Sequence, residues 1–137
     1  MKTIKVTIVS ADKELYAGTA AFFAATAVTG EIGVYPGHVP TLAHLKPGQV
    51  RIELENGTKE VFWISGGILE VQPQEVIVLA DSAERAEDLD QAAVEKAKAE
   101  AKAAIESGKP ELDIEQALIE LNLAKSQLDA VNRLKNL

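Results

Sequence analysis

The stretch QVRIELENGTKEVFWISGG, residues 49–67, decides how the first part of this chain is read. Apolar and polar residues alternate on either side of Asn56-Gly57. Alternation at period two marks a strand with one buried face, and Asn-Gly between two such runs is a strong hairpin signal. Working outward, TIKVTIV (3–9) sets Ile4, Val6 and Ile8 against Thr3, Lys5 and Thr7. ILEVQPQEVIVLA (68–80) gives two more runs around Gln72-Pro73-Gln74. Strands punctuated by turn residues about every 8–12 positions predict a sandwich or barrel. The glycines at 18, 30, 33, 37, 48, 57 and 66, with Gly67 following, are expected at or near turns or strand ends.

After Ala80 the period changes. AAVEKAKAEAKAAIE (92–106) is built from the best helix formers. SGKP (107–110) interrupts it, with Gly108 as C-cap and Pro110 unable to continue the helix. A second helix is expected from Asp113, an N-cap type, with Gln116 three residues on. Its Ile114, Ala117, Leu121, Ala124, Leu128 and Val131 repeat at alternating 3–4 spacing, a seam for another helix. The first helix offers Ala93, Ala97, Ala101 and Ala104, with Leu89 and Ile105 near its ends. An alanine face buries little area, so it docks weakly or serves close helix approach. The expected class is α+β: an N-terminal β-sandwich over 1–86, then an antiparallel two-helix hairpin over 87–137.

Composition excludes several function classes. Net charge is −7, which disfavours nucleic acid. The acid lies mostly downstream: 8 acids and 6 bases in 1–80, against 13 and 8 in 81–137. There is no cysteine, hence no disulfide and no thiolate metal site. MKTIKVTIVSADKELY does not read as a signal peptide, and no apolar run reaches the ~20 residues of a membrane span. Direct membrane insertion is not expected.

Chemistry-bearing motifs are sparse. His38 and His44, six residues apart, invite comparison with a small metal-dependent β-barrel of cupin type, but there is no third histidine and Pro40 interrupts the spacing. A tight site needs three or more placed ligands. There is no Gly-x-Ser-x-Gly elbow and no phosphate-cradling G-x-x-x-x-G-K-[ST] loop. Carboxylates in 81–120 read as solvated helix faces. The sequence therefore predicts a non-catalytic protein without cofactor or metal.

Two segments carry a family resemblance. GEIGVYPGHVPTLAHLKPG (30–48), followed by ISGGILEVQPQEVIVLADSAERAEDLD (64–90), closely resembles the epsilon subunit of bacterial F-type ATP synthases. The likeness covers about residues 1–90, and the remainder matches in length and helix-break-helix layout. The resemblance implies a ten-stranded β-sandwich with a helical hairpin, set at the foot of the central stalk. Its implied partners are the gamma subunit and the c-ring, with transient contact to the catalytic alpha and beta subunits. The hairpin, when extended, can block ATP hydrolysis. The implied location is peripheral, on the cytoplasmic face of the bacterial inner membrane.

By the same resemblance, Val28, Gly30, Glu31 and Gly33 would meet the polar loops of the c-ring, and Ser10, His38 and Ala43 the gamma subunit. Rigid Gly/Pro turns suit such docking, since little entropy is lost. Lys125, Arg133 and Lys135 would face an acidic segment of the beta subunit. Some family members bind ATP through Ile/Leu-Asp-x-x-Arg-Ala. Here the stretch is LDQAAV (89–94): Glu84 and Asp90 match, but Ala93 and Val94 replace the Arg-Ala pair. Without converging arginines a triphosphate should bind poorly, so ATP binding is not expected.

Overall fold

The computed structural model describes the backbone of residues 2–108 and 111–136, and their side chains except those of 111–113. Nine strands come first: β1 (Ile4–Ser10), β2 (Glu14–Ala20), β3 (Phe22–Ala27), β4 (Gly30–Val34), β5 (Thr41–Glu53), β6 (Lys59–Ile64), β7 (Gly67–Val71), β8 (Glu75–Ala80) and β9 (Ala83–Arg85). A 3-10 turn, Ala86–Asp88, leads to α1 (Gln91–Glu106) and α2 (Glu111–Lys135).

The long β5 organises the sheets. Its first half, Thr41–Leu45, pairs with β7 in the set β2-β1-β8-β7-β5. Its second half, from Gly48, pairs with β6 on one side and β3 on the other, giving β9-β6-β5-β3-β4. Nine strands thus supply the ten segments of a sandwich, because β5 serves both layers. The crossing point is a register shift between Ala25 and Ala27 opposite Pro47 and Gly48. β1 lies parallel to β8 and antiparallel to β2, so the N-terminus is stitched into the middle of its layer.

Period two explains the interior. Ile4, Val6, Ile8, Phe23, Val50, Ile52, Phe62, Ile64, Leu69, Val71, Val76 and Val78 are all buried between the layers. The Asn56-Gly57 hairpin forms, with Glu53 opposite Lys59. Gly57 N–H donates to Leu54 O at 3.0 Å, and only Gly57, at φ +85°, takes the left-handed conformation. That is a turn followed by a glycine bulge, not the two-residue primed turn.

Three expectations change. KEVFWI does not alternate in burial: Val61, Phe62, Trp63 and Ile64 are all buried. Phe62 and Ile64 face the sandwich interior, while Val61 and Trp63 join Ala86, Ala130, Leu89, Leu123 and Leu134 in a second core under α2. Gly18 and Gly48 lie inside strands, whereas Gly33 is next to last in β4, near a strand end as expected. At Gly48 a Cβ would stand 2.7 Å from Thr26 Cβ, so close strand approach, not a turn, explains it. On α1, Ala93 and Ala97 are exposed; the packed stripe runs Val94, Lys98, Ala101 and Ile105. Of the four expected alanines, Ala101 is buried and Ala104 half-buried, so the packed face overlaps the expected one at its C-terminal end and is turned from it at Ala93 and Ala97.

The helix termini partly match expectation. Asp90, singled out in the sequence only for the nucleotide motif, caps α1 by accepting from Ala93 N–H at 3.2 Å. Gly108, at φ +70°, follows the C-cap Ser107. α2 begins at Glu111, two residues before Asp113, so Asp113 lies within its first turn. Acids anywhere in a first turn favour the helix dipole. Pro110 and the side chain of Asp113 are outside the described residues.

Candidate docking surface

The two sheet faces turned away from the sandwich interior differ sharply. The layer containing β6 is sealed by α2: Trp63 Nε1–H donates to Ser126 Oγ at 2.8 Å, and Ser126 Oγ–H donates to Leu123 O at 2.7 Å. Among the described residues, no helix covers the layer containing β1, β7 and β8 in this way. Its outward row, read across register, is His44, Ile68, Leu79 and Val9. Leu42 is 72% exposed, Leu79 51% and Ile68 38%. A bare sheet face with large aliphatic side chains is an unfilled interface.

The groove at one border of this face, about 510 Å³, is lined by Val28, Thr29, Ile32, Leu42, Ala43 and His44, among others. Val28 is 62% exposed, and its N–H donates to His44 O at 2.9 Å. The structure thus brings together Val28 and Ala43, which the sequence assigned to two different partners. Ala43 itself packs against the interior core; its neighbours Leu42 and His44 face out. The outward leucines at 42 and 79 are what sequence reading missed. Their signal was present, since period two puts apolar side chains on the face a solvated strand would fill with polar ones.

The remaining sequence-predicted residues are dispersed. Gly30 and Gly33 are exposed on β4, and Glu31, between them, forms an ion pair with Arg51 of β5. Ser10, half-buried, ends β1 opposite Ala80. His38 belongs to the 35–40 turn, whose Gly37 N–H donates to Pro73 O at 2.8 Å. That turn is well braced: Tyr35 stacks at an angle on Phe22 with centroids 4.7 Å apart, and Thr41 Oγ1–H donates to Val39 O at 3.0 Å.

The metal reading gains no support. His38 Nδ1 lies 2.7 Å from Val39 O and so carries the proton toward it, and His44 is on the exposed strand face. No group of three or more His, Cys, Asp or Glu able to hold a metal occurs among the described residues. For nucleotide, Asp90 is committed to capping α1, and Glu84 is exposed on β9 opposite Trp63. Lys125, Arg133 and Lys135 are exposed on α2, where Lys135 donates to Gln91 Oε1. Lys125 lines a groove with Lys46 and Asp129, whereas Arg133 lines a separate one with Arg51. Lys125 and Arg133 therefore do not converge on Asp90, and of the three only Lys135 comes near it, through Gln91.

No helix among the described residues is long and apolar enough to cross a membrane.

Comparison with known proteins agrees with this geometry. Residues 3–86 match the family described as ATP synthase, Delta/Epsilon chain, beta-sandwich domain. The chain is 41% identical over 136 residues to the ATP synthase epsilon chain of Acinetobacter baylyi, covering 99% of this chain and 98% of that one. It is 47% identical over 131 residues to the ATP synthase epsilon chain of Legionella pneumophila, covering 96% and 94%. Among solved structures, it resembles a chain of the Euglena gracilis mitochondrial ATP synthase (OSCP/F1/c-ring, rotational state 1). That match has TM-score 0.85 and 29% identity, over 96% of this chain and 82% of that one. A chain of the Tetrahymena thermophila central stalk/c-ring structure, TM-score 0.59 at 17% identity, shares the fold. Sequence, sandwich and hairpin together place the chain in the epsilon-chain family of ATP synthases, whose members are non-catalytic subunits of that complex.

Proposed function

We propose that the chain works as a rotor element of the central stalk, coupling c-ring rotation to the catalytic head of a proton-translocating F-type ATP synthase. The observation that carries this is the contrast between the two sheets. One outer face is covered by the chain's own α2, and the other leaves Leu42, Ile68 and Leu79 bare. The bare face takes the gamma subunit, through the outward side chains of the strands that bear Ser10 and Ala43 and through the turn that bears His38. The exposed 28–33 segment, carrying Val28, Gly30, Glu31 and Gly33, meets the c-ring. The sandwich of 1–86 is the anchor and the hairpin of 87–137 the regulatory part.

When extended, the hairpin offers Lys125, Arg133 and Lys135 to the beta subunit. The complex holds the chain peripherally on the cytoplasmic face of a bacterial inner membrane. The chain does not sense ATP: Asp90 caps α1, and Lys125 and Arg133 line separate grooves, so of the three α2 bases only Lys135, beside Gln91, stands near it.

The test is binding to gamma-containing catalytic complex stripped of this subunit. Leu42→Asp with Leu79→Asp should abolish rebinding while leaving the thermal midpoint of the isolated chain unchanged. Full rebinding by that double variant would refute the assignment of this face.

A further inference from the structure

We propose that Arg51 is a positioning residue for Glu31: its guanidinium orients the carboxylate so that the second oxygen accepts from a hydrogen-bond donor on the partner loop. This rests on the reading of 28–33 as the segment that meets the c-ring.

The two residues lie on different strands with β3 between them. Glu31 is in register with Thr26, and Arg51 with Ala24. Two strand spacings make about 10 Å, which only a long side chain can cross. The lane between them is floored by small residues, because Ala24 is paired with Gly33 on one side and Arg51 on the other, and the Phe22 ring lies over Gly33. Neither Ala24 nor Gly33 carries bulk. The Arg51 side chain is 23% exposed and that of Glu31 48%, so the base is the more fixed partner.

Competing carboxylates do not capture the guanidinium. Glu60 is held by Arg85 at 3.1 Å. The cleft of about 250 Å³ that Arg51 also lines holds Lys59 and Arg133 of α2 together with Glu53 and Glu60. The two bases there offset the two acids, and the ion pair that Arg51 makes is with Glu31. Arg51 Nη2 engages Glu31 Oε1. A carboxylate accepts through both oxygens, so Oε2 stays available to an outside donor. A half-exposed pair adds little to stability. What it does supply is restriction of the Glu31 rotamers before docking, and binding then loses less side-chain entropy.

The experiment uses complete ATP synthase reconstituted in vesicles with each variant of the chain. It reads proton pumping per ATP hydrolysed, alongside the amount of the chain retained and the thermal midpoint of the isolated chain. Arg51→Gln and Glu31→Gln should each lower the ratio by about two- to fivefold, the range such a pair allows. The double variant should fall no further than the worse single one, and Arg51→Lys should recover part of the loss. An unchanged ratio in Arg51→Gln beside a lowered one in Glu31→Gln overturns the positioning role and spares the loop reading. Additive losses in the double variant overturn it as well. So does loss of the chain from the complex with a lowered thermal midpoint in Arg51→Gln, which marks a purely structural role. If neither single variant moves the ratio, the loop reading itself fails and takes the proposal with it.

Discussion

At the scale of single residues, three positions carry measurable consequences. Gly67 has φ +148°, and a Cβ there would overlap the Leu79 carbonyl oxygen and stand 2.9 Å from Ala80 Cα. These are backbone atoms of the paired strand β8 and cannot swing aside. Gly67→Ala should therefore destabilise the sandwich by about 2 kcal/mol or more, read from its urea midpoint. Ser126 accepts the only tryptophan's indole N–H in a buried site. Ser126→Ala leaves that donor unpaired and should cost the docked hairpin about 1–3 kcal/mol. Burial pushes the Tyr16 hydroxyl above its usual pKa; the Glu60 carboxylate adds to this and Arg85 partly opposes it. The unfolded phenol ionises near pH 10, so the stabilisation is complete below that pH and is lost as pH rises through the higher folded value. Tyr16→Phe should flatten the alkaline fall in stability, seen as a smaller change in urea midpoint between pH 9 and pH 11.

At the scale of elements, the hairpin is held by two different faces of α2. Ala117, Ala124 and Val131, on the 3–4 seam, are buried, while Leu123, Ser126, Ala130 and Leu134 meet the sheet. α1 is buried only at Val94 and Ala101, so its hold on the rest of the molecule is slight. Val94→Asp should lower helical content by far-ultraviolet circular dichroism, whereas Ala97→Glu should change stability by no more than about 0.5 kcal/mol. The second core also gives a direct readout of docking, because Trp63 is the chain's single tryptophan. Ala130→Glu would bury a carboxylate against Val61 and Trp63, so α2 should leave the sheet. Trp63 emission should then shift to the red. An unshifted spectrum would mean that α2 does not shield this face in solution.

At the scale of the whole molecule, the chain spends its hairpin on one sheet and leaves the other for a partner. In the proposed extended state, contact with the beta subunit would run through Lys125, Arg133 and Lys135. All three are exposed, so inhibition of ATP hydrolysis should weaken as salt rises from 50 to about 500 mM. Inhibition indifferent to salt would point instead to apolar contacts such as Leu121 and Leu128.

Periodicity alone made the sandwich-plus-hairpin class legible: period two up to Ala80 and helical spacing after Asp90 are local properties that burial enforces residue by residue. The Asn56-Gly57 hairpin is equally local, since one backbone bond and the φ of Gly57 decide it. The expected contact residues came from family likeness, not from any pattern of charge or spacing. Other features depended on distant segments. β5 serves both layers because the chain bends at Gly48 to let Thr26 pass. VFWI is buried on both sides because α2, more than 50 residues away, lies over it. Val94, not Ala93 or Ala97, faces inward because packing against α2 selects one face of a helix that is alanine-rich all round. Sequence by itself determined which segments become strands and helices, for those follow from neighbours within a turn or two. Only the tertiary structure decided which sheet face is sealed and which is left bare, because burial there is supplied by residues remote in the chain.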